Sequence, residues 1–264
     1  MSTKIITLTT DFGLKDPYVA EMKAAILGIC PNAVIVDITH EIEKFNIRTG
    51  AYVLASAVPY FPTGTIHIAV VDPGVGTRRR PILIQTCQGF LIGPDNGLLI
   101  LAAENQGITS IHEITNPRFM LPRVSSTFHG RDVFAPAAAH LANGAPLTGF
   151  GPEIRNFVKP DFTKVMVRKG VMIGEVLHVD NFGNVITNIS EKETARIRTK
   201  GIVNVELPNR KLKLKLCKVY GEAKLKEPLA LIGSHNYLEI AINQGNAAEK
   251  FKAKTGDKIK LSFA

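Results

Sequence analysis

The first part of the chain contains short apolar segments that hardly alternate with polar residues. Four of them are rich in isoleucine and valine: KIITLTT (4–10), AVIVDIT (33–39), TIHIAVV (65–71) and PILIQT (81–86). Such continuity is typical of strands that are covered on both faces, as in a parallel sheet flanked by helices. The pattern therefore predicts four strands of a buried sheet.

Helical patterns lie between these segments. Asp16 and Pro17 precede YVAEMKAAILGIC, which predicts a helix with Asp16 as its N-cap and proline at its first position. Asn46 should begin a second helix, IRTGAYVLASAV, and residues 131–141 a third. Strands that alternate with helices predict an α/β domain over residues 1–151, with a doubly wound, mainly parallel sheet.

The pattern changes in the second part of the chain. Residues 152–170 are polar, contain prolines and show no helical period, which predicts a linker. Residues 171–264 contain short segments punctuated by glycine, proline and asparagine, several of them alternating, and these predict a smaller antiparallel β domain, a barrel or a sandwich. Within it, KLKLKLCK (211–218) is predicted to be a strand with a leucine face and a solvated lysine face.

Composition and charge argue against several classes of protein. The net charge of +9 would suit nucleic acid, but the lysines are spread widely and lack interleaved aromatic residues, so we expect no nucleic-acid partner. Cys30, Cys87 and Cys217 form no disulfide framework, which favours a reducing cytoplasm. No apolar run is long enough to span a bilayer and the N-terminal segment carries an acidic residue, so we expect a soluble, unexported protein without a membrane partner.

Polar residues follow several predicted strands at the point where ligands bind to open α/β sheets. Asp11 follows the first strand, Asp72 follows the third, and Asp95 and Asn96 follow a short strand, FLI. Each alone is more typical of a turn. Together with the arginines of VVDPGVGTRRR and with His129 at a helix entrance, however, Asp72 indicates a possible site at one edge of the sheet.

Several common site types are absent from the sequence. The GVG triplet lacks GxGxxG spacing and no GK[ST] follows it, which excludes a dinucleotide or phosphate loop. The seven histidines form no HxH, HxxxH or HExxH pair, and GxSxG does not occur. Hydrolysis would therefore need a water molecule that neither zinc nor a serine nucleophile activates.

Six longer motifs, in this order, resemble the S-adenosyl-L-methionine (SAM) hydroxide adenosyltransferases, also called SAM hydrolases, relatives of fluorinase and chlorinase. They are TTDFGLKDPYVAEMK, VVDPGVGTRRR, GPDNGLL, STFHGRDVFAPAAAHLANG, VDNFGNVITNI and GSHNYLEIAIN. The resemblance covers nearly the whole chain. It implies hydrolysis of SAM to adenosine and L-methionine with no metal or organic cofactor. It also implies a homotrimer whose active sites lie between the N-terminal domain of one chain and the C-terminal domain of its neighbour.

The resemblance also implies which residues carry the chemistry. The Asp-Arg-His set that holds the attacking water in the hydrolases falls on Asp72, Arg79 and His129, and the halogenases lack this set. Arg78 and Arg80 are then structural or exposed. A guanidinium beside water would stabilise hydroxide character, a task that metals often perform. The residue that acts as the base is left open.

Substrate-binding positions follow in the same way. Asp11 would accept the ribose hydroxyls, and Asp16 matches a position near the methionine ammonium. Phe182 would stack on adenine, Ser234 would bind the carboxylate and the backbone of Ala247 would face the adenine edge. The positions in the C-terminal domain are Asp180, Phe182, Asn184, Ser234 and Ala247.

The predicted function is therefore hydrolysis of SAM, and three alternatives stay open. One is a halide-dependent adenosyltransferase, which would use the same fold with another nucleophile. Another is a non-catalytic protein that binds SAM or adenosine. A nucleic-acid-binding module has only the basic charge in its favour.

Overall fold

The protein folds as two compact units, Met1–Pro160 and Asp161–Ala264. Its computed structural model describes residues 4–168, 170–195 and 201–263, so parts of the predicted domains and linker (1–3, 169, 196–200 and 264) lie outside the described residues. No helix within those described ranges is long and apolar enough to cross a membrane.

In the described part of the first unit, six strands form one sheet in the order β2-β1-β3-β5-β4-β6. The strands are β1 Ile5–Thr10, β2 Val34–Thr39, β3 Ile66–Val70, β4 Pro81–Thr86, β5 Phe90–Pro94 and β6 Ile108–Glu113. Strand β1 is parallel to β2 and β3, and β3 is parallel to β5. The predicted parallel arrangement is thus confirmed for β1, β2 and β3.

Strand β4 differs from the prediction in its direction. It pairs antiparallel with β5 and with β6. Three residues, 87–89, separate β4 from β5, and Thr86 N–H donates to the carbonyl of Gly89 at 2.9 Å. A connection this short permits a hairpin but no parallel crossover.

Helices cover both faces of this sheet, as predicted. They are α1 Tyr18–Ile29, α2 Ile47–Ala57, α3 Ile100–Gln106, a π-helix Gly130–Phe134 and α4 Ala135–Ala142, with 3₁₀ turns at Val58–Tyr60, Pro117–Phe119 and Leu147–Gly149. Met22 of α1 and Ala138 of α4 are buried in one core cluster, and Leu54 of α2 and Ala102 of α3 are buried in another. The two helix pairs therefore pack in separate cores.

The helix starts agree with the prediction at one position and contradict it at another. Asn46 caps α2, since its side chain accepts from Thr49 N–H at 3.0 Å. The prediction that Asp16 caps α1 was wrong, because the cap is Pro17 and no side chain bonds to it. The Asp16 side chain therefore makes no capping hydrogen bond to α1.

The second unit is a β-barrel, which confirms the predicted β domain. Its strands are β7 Met166–Arg168, β8 Val171–Val179, β9 Val185–Ser190, β10 Ile202–Leu207, β11 Arg210–Leu216, β12 Pro228–Ile232, β13 Tyr237–Ile242 and β14 Lys258–Phe263. Short helices are α5 Glu191–Thr194 and α6 Ala247–Phe251, with 3₁₀ turns at Asp161–Thr163 and Tyr220–Glu222. Neighbouring strands are antiparallel except β11 and β12, and pairing of β14 with β8 closes the barrel.

Strand β11 has the two faces that its alternating sequence predicts. Lys211, Lys213 and Lys215 are exposed, whereas Leu214 is buried in the barrel core. The lysines thus solvate the outer face of the strand.

Candidate active site

The loop that follows β3 holds a buried ion pair. Asp72 begins this loop, and its Oδ1 accepts from Arg79 Nε at 3.1 Å while its Oδ2 accepts from Arg79 Nη2. The two side chains are only 5% and 6% exposed. The Arg79 guanidinium also lies 5.3 Å from the ring centre of Phe134. This two-point contact fixes the plane of the guanidinium relative to the carboxylate.

A glycine lets a second loop approach the first. Gly76 has φ +75°, and a Cβ at this position would lie 2.1 Å from the carbonyl oxygen of Ser126. A side chain would therefore be strained and would also clash with backbone. The close contact brings the loop that ends at His129 against the loop that carries Asp72.

His129 completes the cluster from the second loop. Its Nδ1 lies 3.0 Å from Arg79 Nη2. Because a guanidinium only donates, Nδ1 must accept, and the ring proton then resides on Nε2. Burial and the charge of Arg79 lower the pKa of His129, against the opposing charges of Asp72 and Asp132, so the ring is neutral at pH 7. Arg79 Nη1 is buried without a hydrogen-bond partner among the described residues.

The structure distinguishes the three adjacent arginines. The middle one enters the cluster, Arg78 is exposed, and Arg80 donates from Nη2 to Asp95 Oδ2 at 2.6 Å. Asn96, beside Asp95, donates to the carbonyl oxygen of Val71 at 2.9 Å. The GPDNG motif therefore stabilises the end of the sheet.

A cavity of about 260 Å³ lies over this cluster. Four of the predicted residues line it, namely Asp11, Asp16, Asp72 and His129. Arg79 bonds to two of them but does not itself line the cavity. The other lining residues are Phe12, Tyr18, Lys44, Phe45, Val70, Val75, Thr127, Phe128 and Gly130. No group of three or more histidine, cysteine, aspartate or glutamate side chains within the described ranges could hold a metal ion.

Asp11 is held by a segment that the sequence analysis missed. Phe45 N–H donates to Asp11 Oδ2 at 2.9 Å, and Lys44 Nζ donates to the Asp11 carbonyl oxygen. Phe45 has φ +63° and is 69% exposed at the mouth of the cavity. A left-handed backbone is uncommon for a bulky residue and is often found at functional sites. No hydrophobic pattern marks this segment.

Three aromatic rings border the cavity beside Asp11. The rings of Phe12, Tyr18 and Phe128 meet edge to face, with centroids 5.2 to 5.9 Å apart. Such rings offer an apolar wall that also favours a cationic group. The cavity thus combines carboxylates with aromatic surface, which suits a cationic ligand that has an apolar body.

In the second unit, the motif VDNFGN forms a tight turn after β8. Asp180 Oδ1 accepts from the backbone N–H groups of Phe182 and Asn184 at 2.9 and 2.8 Å, and Oδ2 accepts from Asn184 Nδ2 at 2.9 Å. Asn184 is buried, whereas Phe182 is 79% exposed. The turn therefore presents an aromatic ring on a rigid base.

The start of α6 packs on the same turn. Gly183 has φ +81° and lies against the side chain of Asn246, and Ala248 N–H donates to the Gly183 carbonyl at 2.9 Å. This places Ala247 beside the turn. The whole residue is buried, with its side chain in the barrel core. Ser234 is exposed in the separate turn between β12 and β13.

The sequence analysis also missed a buried carboxylate that lies beside the turn between β12 and β13. Glu239 of β13 abuts Gly233, and its Oε2 accepts from the Tyr220 hydroxyl at 3.0 Å. Burial raises the pKa of Glu239, although the Tyr220 hydrogen bond opposes this. A charged residue in the fully buried strand YLEIAI is a signal that the sequence analysis could have used.

Comparisons with known proteins agree with this architecture. The family model for the SAM hydroxide adenosyltransferase N-terminal domain matches residues 6–151, and that for the C-terminal domain matches residues 174–260. An (R)-S-adenosyl-L-methionine hydrolase of Methanocaldococcus jannaschii is 41% identical over 98% of this chain and 96% of its own. One of Salinispora arenicola is 38% identical over 99% and 98%.

More distant and structural relatives fit the same pattern. A fluorinase of Actinoplanes sp. is 29% identical, with 98% of each chain covered. An uncharacterized conserved protein from Thermotoga maritima has a crystal structure that superposes with a TM-score of 0.89 at 40% identity, over 97% of this chain and 99% of that one. Both family models match in order and hydrolases align over almost the full length, so this chain belongs to the SAM hydroxide adenosyltransferase family.

Proposed function

We propose that this chain hydrolyses SAM to adenosine and L-methionine, with water attacking the ribose 5′ carbon. The observation that carries the proposal is the contact of Arg79 with both Asp72 and His129 at the edge of a cavity. The names of the full-length relatives support the same reaction and specify the (R) form of the substrate.

The chemistry of the substrate explains what the site must supply. The sulfur of SAM is a sulfonium, so it leaves the 5′ carbon as the neutral thioether of methionine and needs no general acid. The nucleophile is the weak partner, because water is a poor nucleophile until it loses a proton. The site must therefore hold a water molecule in line with the carbon–sulfur bond and accept its proton.

We assign these tasks to the three residues from their contacts. The two oxygens of Asp72 retain accepting capacity beyond their bonds to Arg79, so Asp72 can accept a hydrogen bond from the water. His129 carries its proton on Nε2 and therefore donates to the water oxygen. Arg79, which does not itself line the cavity, holds both partners in place, and its fixed positive charge favours developing hydroxide by electrostatic attraction. Asp72, not His129, is then the proton acceptor.

The remaining cavity residues suit the rest of the substrate. Asp11 accepts the ribose hydroxyls, Asp16 attracts the methionine ammonium, and the aromatic wall lies against the sulfonium end. In the second unit, Phe182 stacks on adenine, beside the backbone of Ala247. Ser234 binds the methionine carboxylate. Other polar groups of the substrate are bound by Asp180 and Asn184.

Label transfer tests the reaction. Pure protein is incubated with each sulfonium epimer of SAM in oxygen-18 water, and adenosine is isolated by chromatography. The proposal requires label in the 5′ hydroxyl from the (R) epimer, loss of turnover in Arg79→Ala and retention in Arg78→Ala, since Arg78 is the exposed neighbour. A 5′-halogenated product in added chloride or fluoride would instead support a halogenase. Binding of SAM without release of adenosine would support a non-catalytic binding protein.

We also propose that no metal or organic cofactor takes part. The donor set around the cavity supplies a fixed positive charge where a metal would otherwise act. Turnover should survive treatment with a strong chelator and gel filtration. Loss of activity that added divalent cation restores would contradict the proposal.

We propose further that the active enzyme is a homotrimer with sites at subunit interfaces. Phe45 beside the cavity and Phe182 on the barrel are both largely exposed, and a subunit interface would cover them. Sedimentation should give three chains per particle. Arg79→Ala and Asn184→Ala chains, each inactive alone, should regain part of the activity when unfolded and refolded together, because mixed trimers contain intact interfaces. Absence of such complementation would contradict a shared site.

A further inference from the structure

A polar link lies beneath Asp11, between strands β1 and β2. Thr10 ends β1 directly before Asp11, and its Oγ1 lies 2.8 Å from His40 Nδ1. Thr10 is fully buried and His40 is 3% exposed. Neither side chain lines the cavity, so neither serves as a direct ligand contact.

The donors and acceptors of this link run in one direction. Phe12 N–H donates to Thr10 Oγ1 at 3.2 Å, and the carboxylate of Asp37 near His40 Nε2 favours the ring proton on that nitrogen, so Nδ1 accepts from the Thr10 hydroxyl. The ring proton of His40 is then on Nε2, which lies 3.1 Å from Asp37 Oδ1 although the contact is not aligned as a hydrogen bond. Asp37 is itself paired with Lys23 at 2.6 Å.

His40 contacts the turn after β1 at two points, one on each side of Asp11. Its ring bonds to Thr10, and its carbonyl oxygen accepts from Gly13 N–H at 2.7 Å. Gly13 has φ +70°, a left-handed backbone conformation that favours glycine. His40 therefore holds the turn that carries the Asp11 carboxylate on both sides of Asp11.

We propose that His40 is a positioning residue, which through Thr10 and Gly13 sets the orientation of the Asp11 carboxylate toward a vicinal diol. The diol is the ribose of the substrate, and in this respect the inference rests on the proposed function. Asp11 Oδ2 already accepts a hydrogen bond from Phe45 N–H. A carboxylate must be placed closely to accept two neighbouring hydroxyls at once, so small shifts of this turn weaken binding.

The same sheet contains a matched control. His67 of β3 bonds through Nδ1 to Thr7 Oγ1 of β1, also at 2.8 Å, and both residues are buried. This pair has the same chemistry as Thr10 and His40. It lies three residues earlier in β1 and touches neither Asp11 nor the cavity.

The first experiment measures binding of adenosine and of 2′,3′-dideoxyadenosine by calorimetry. In His40→Gln, adenosine affinity should fall about tenfold, whereas dideoxyadenosine affinity should hardly change, because only the diol uses Asp11. Thr10→Val should behave alike and keeps the β-branched shape. His40→Asn, whose amide occupies the Nδ1 position, should restore most of the affinity, and His67→Gln should leave the ratio of the two affinities unchanged.

The second experiment needs no ligand. Hydrogen exchange at the amides of Phe12 and Gly13 should accelerate about tenfold in His40→Gln and stay unchanged in His67→Gln. Unchanged exchange, or an unchanged affinity ratio in a protein that does prefer adenosine, overturns the inference. A wild-type protein with no preference for adenosine would instead refute the ribose role of Asp11, and hydrogen exchange would still decide whether His40 holds the turn.

Discussion

At the scale of single residues, Arg79 determines what its two neighbours can do. Its guanidinium contacts both oxygens of Asp72 and the Nδ1 of His129. An ammonium carries the same charge but cannot reach three acceptors with the same fixed geometry. The site therefore depends on the shape of the cation as well as on its charge.

Arg79→Lys tests this dependence. We expect the turnover number to fall about a hundredfold or more, because Asp72 and His129 lose their common donor, while adenosine affinity stays within about threefold. Steady-state kinetics and calorimetry measure the two quantities. Arg78→Lys is the control and should keep full turnover. An equal loss of turnover and of adenosine binding would mean that Arg79 shapes the binding site.

The protonation of His129 gives a second prediction. Burial and Arg79 lower its pKa below the usual 6.5, so the ring is neutral at pH 7 and protonates only at lower pH. Protonation removes the acceptor for Arg79. The acid limb of the turnover number should therefore lie below pH 6.5, and nitrogen NMR should find the proton on Nε2. A proton on Nδ1 at neutral pH would contradict the assignment.

At the scale of elements, the site exists because two loops touch at a glycine. Asp72 and Arg79 come from one loop and His129 from the other, and Gly76 meets Ser126 where they touch. The π-helix that starts after His129 continues into α4, so the second loop is anchored in the core. The distance between the loops is thus set by packing outside the cavity.

Gly76→Ala should disrupt this approach. Gly64 is the control, because its φ of +88° imposes the same strain but a Cβ there would meet nothing within 4 Å. We expect Gly64→Ala to cost about 1 kcal/mol of stability with normal turnover. Gly76→Ala should cost more and lower the turnover number at least about tenfold. Denaturant titrations and kinetics measure both, and similar turnover in the two variants would show that the contact is dispensable.

At the scale of the whole molecule, the apolar pattern predicted more of the fold than of the site. Continuous apolar segments predicted strands that are covered on both faces, which holds for β1, β3 and β4 but not for the edge strand β2, none of whose residues is buried. This pattern is the same for parallel and antiparallel strands, so it did not give the direction of β4, whereas the three-residue connection to the predicted strand FLI does. Alternation along β11 did predict its two faces. Local pattern thus defines elements, and short connections define their direction.

The site shows the same limit. The resemblance predicted Asp72, Arg79 and His129 as one set, but local pattern alone does not distinguish three adjacent arginines. In the structure, contacts with Asp72 and His129 separate Arg79 from the exposed Arg78. Lys44 and Phe45 bind Asp11 across 33 and 34 residues of chain. Contacts of this range depend on the folded sheet, which no local pattern contains. The roles assigned to the site residues stay predictions until the variants are measured.

Buried His67 should make the first unit sensitive to acid. Burial lowers the pKa of His67 to about 4, from an ordinary 6.5. Above pH 6.5 the ring is neutral in both the folded and the unfolded chain. As the pH falls from 6.5 to about 4, the unfolded chain binds a proton that the folded chain does not, so the free energy of unfolding decreases by up to about 3 kcal/mol.

His67→Gln should remove this part of the pH dependence. Urea titrations at about pH 7.5 and pH 4.5, followed through hydrogen exchange in β3, give the free energy of unfolding of the first unit. The free energy of unfolding should change less between the two pH values in the variant than in the wild type, and the reduction should equal the contribution of His67. His140→Gln is the control, because this ring at the end of α4 is only half-buried and packs less closely in the core. An identical pH dependence in wild type and His67→Gln would show that His67 is protonated in the folded sheet at its ordinary pKa.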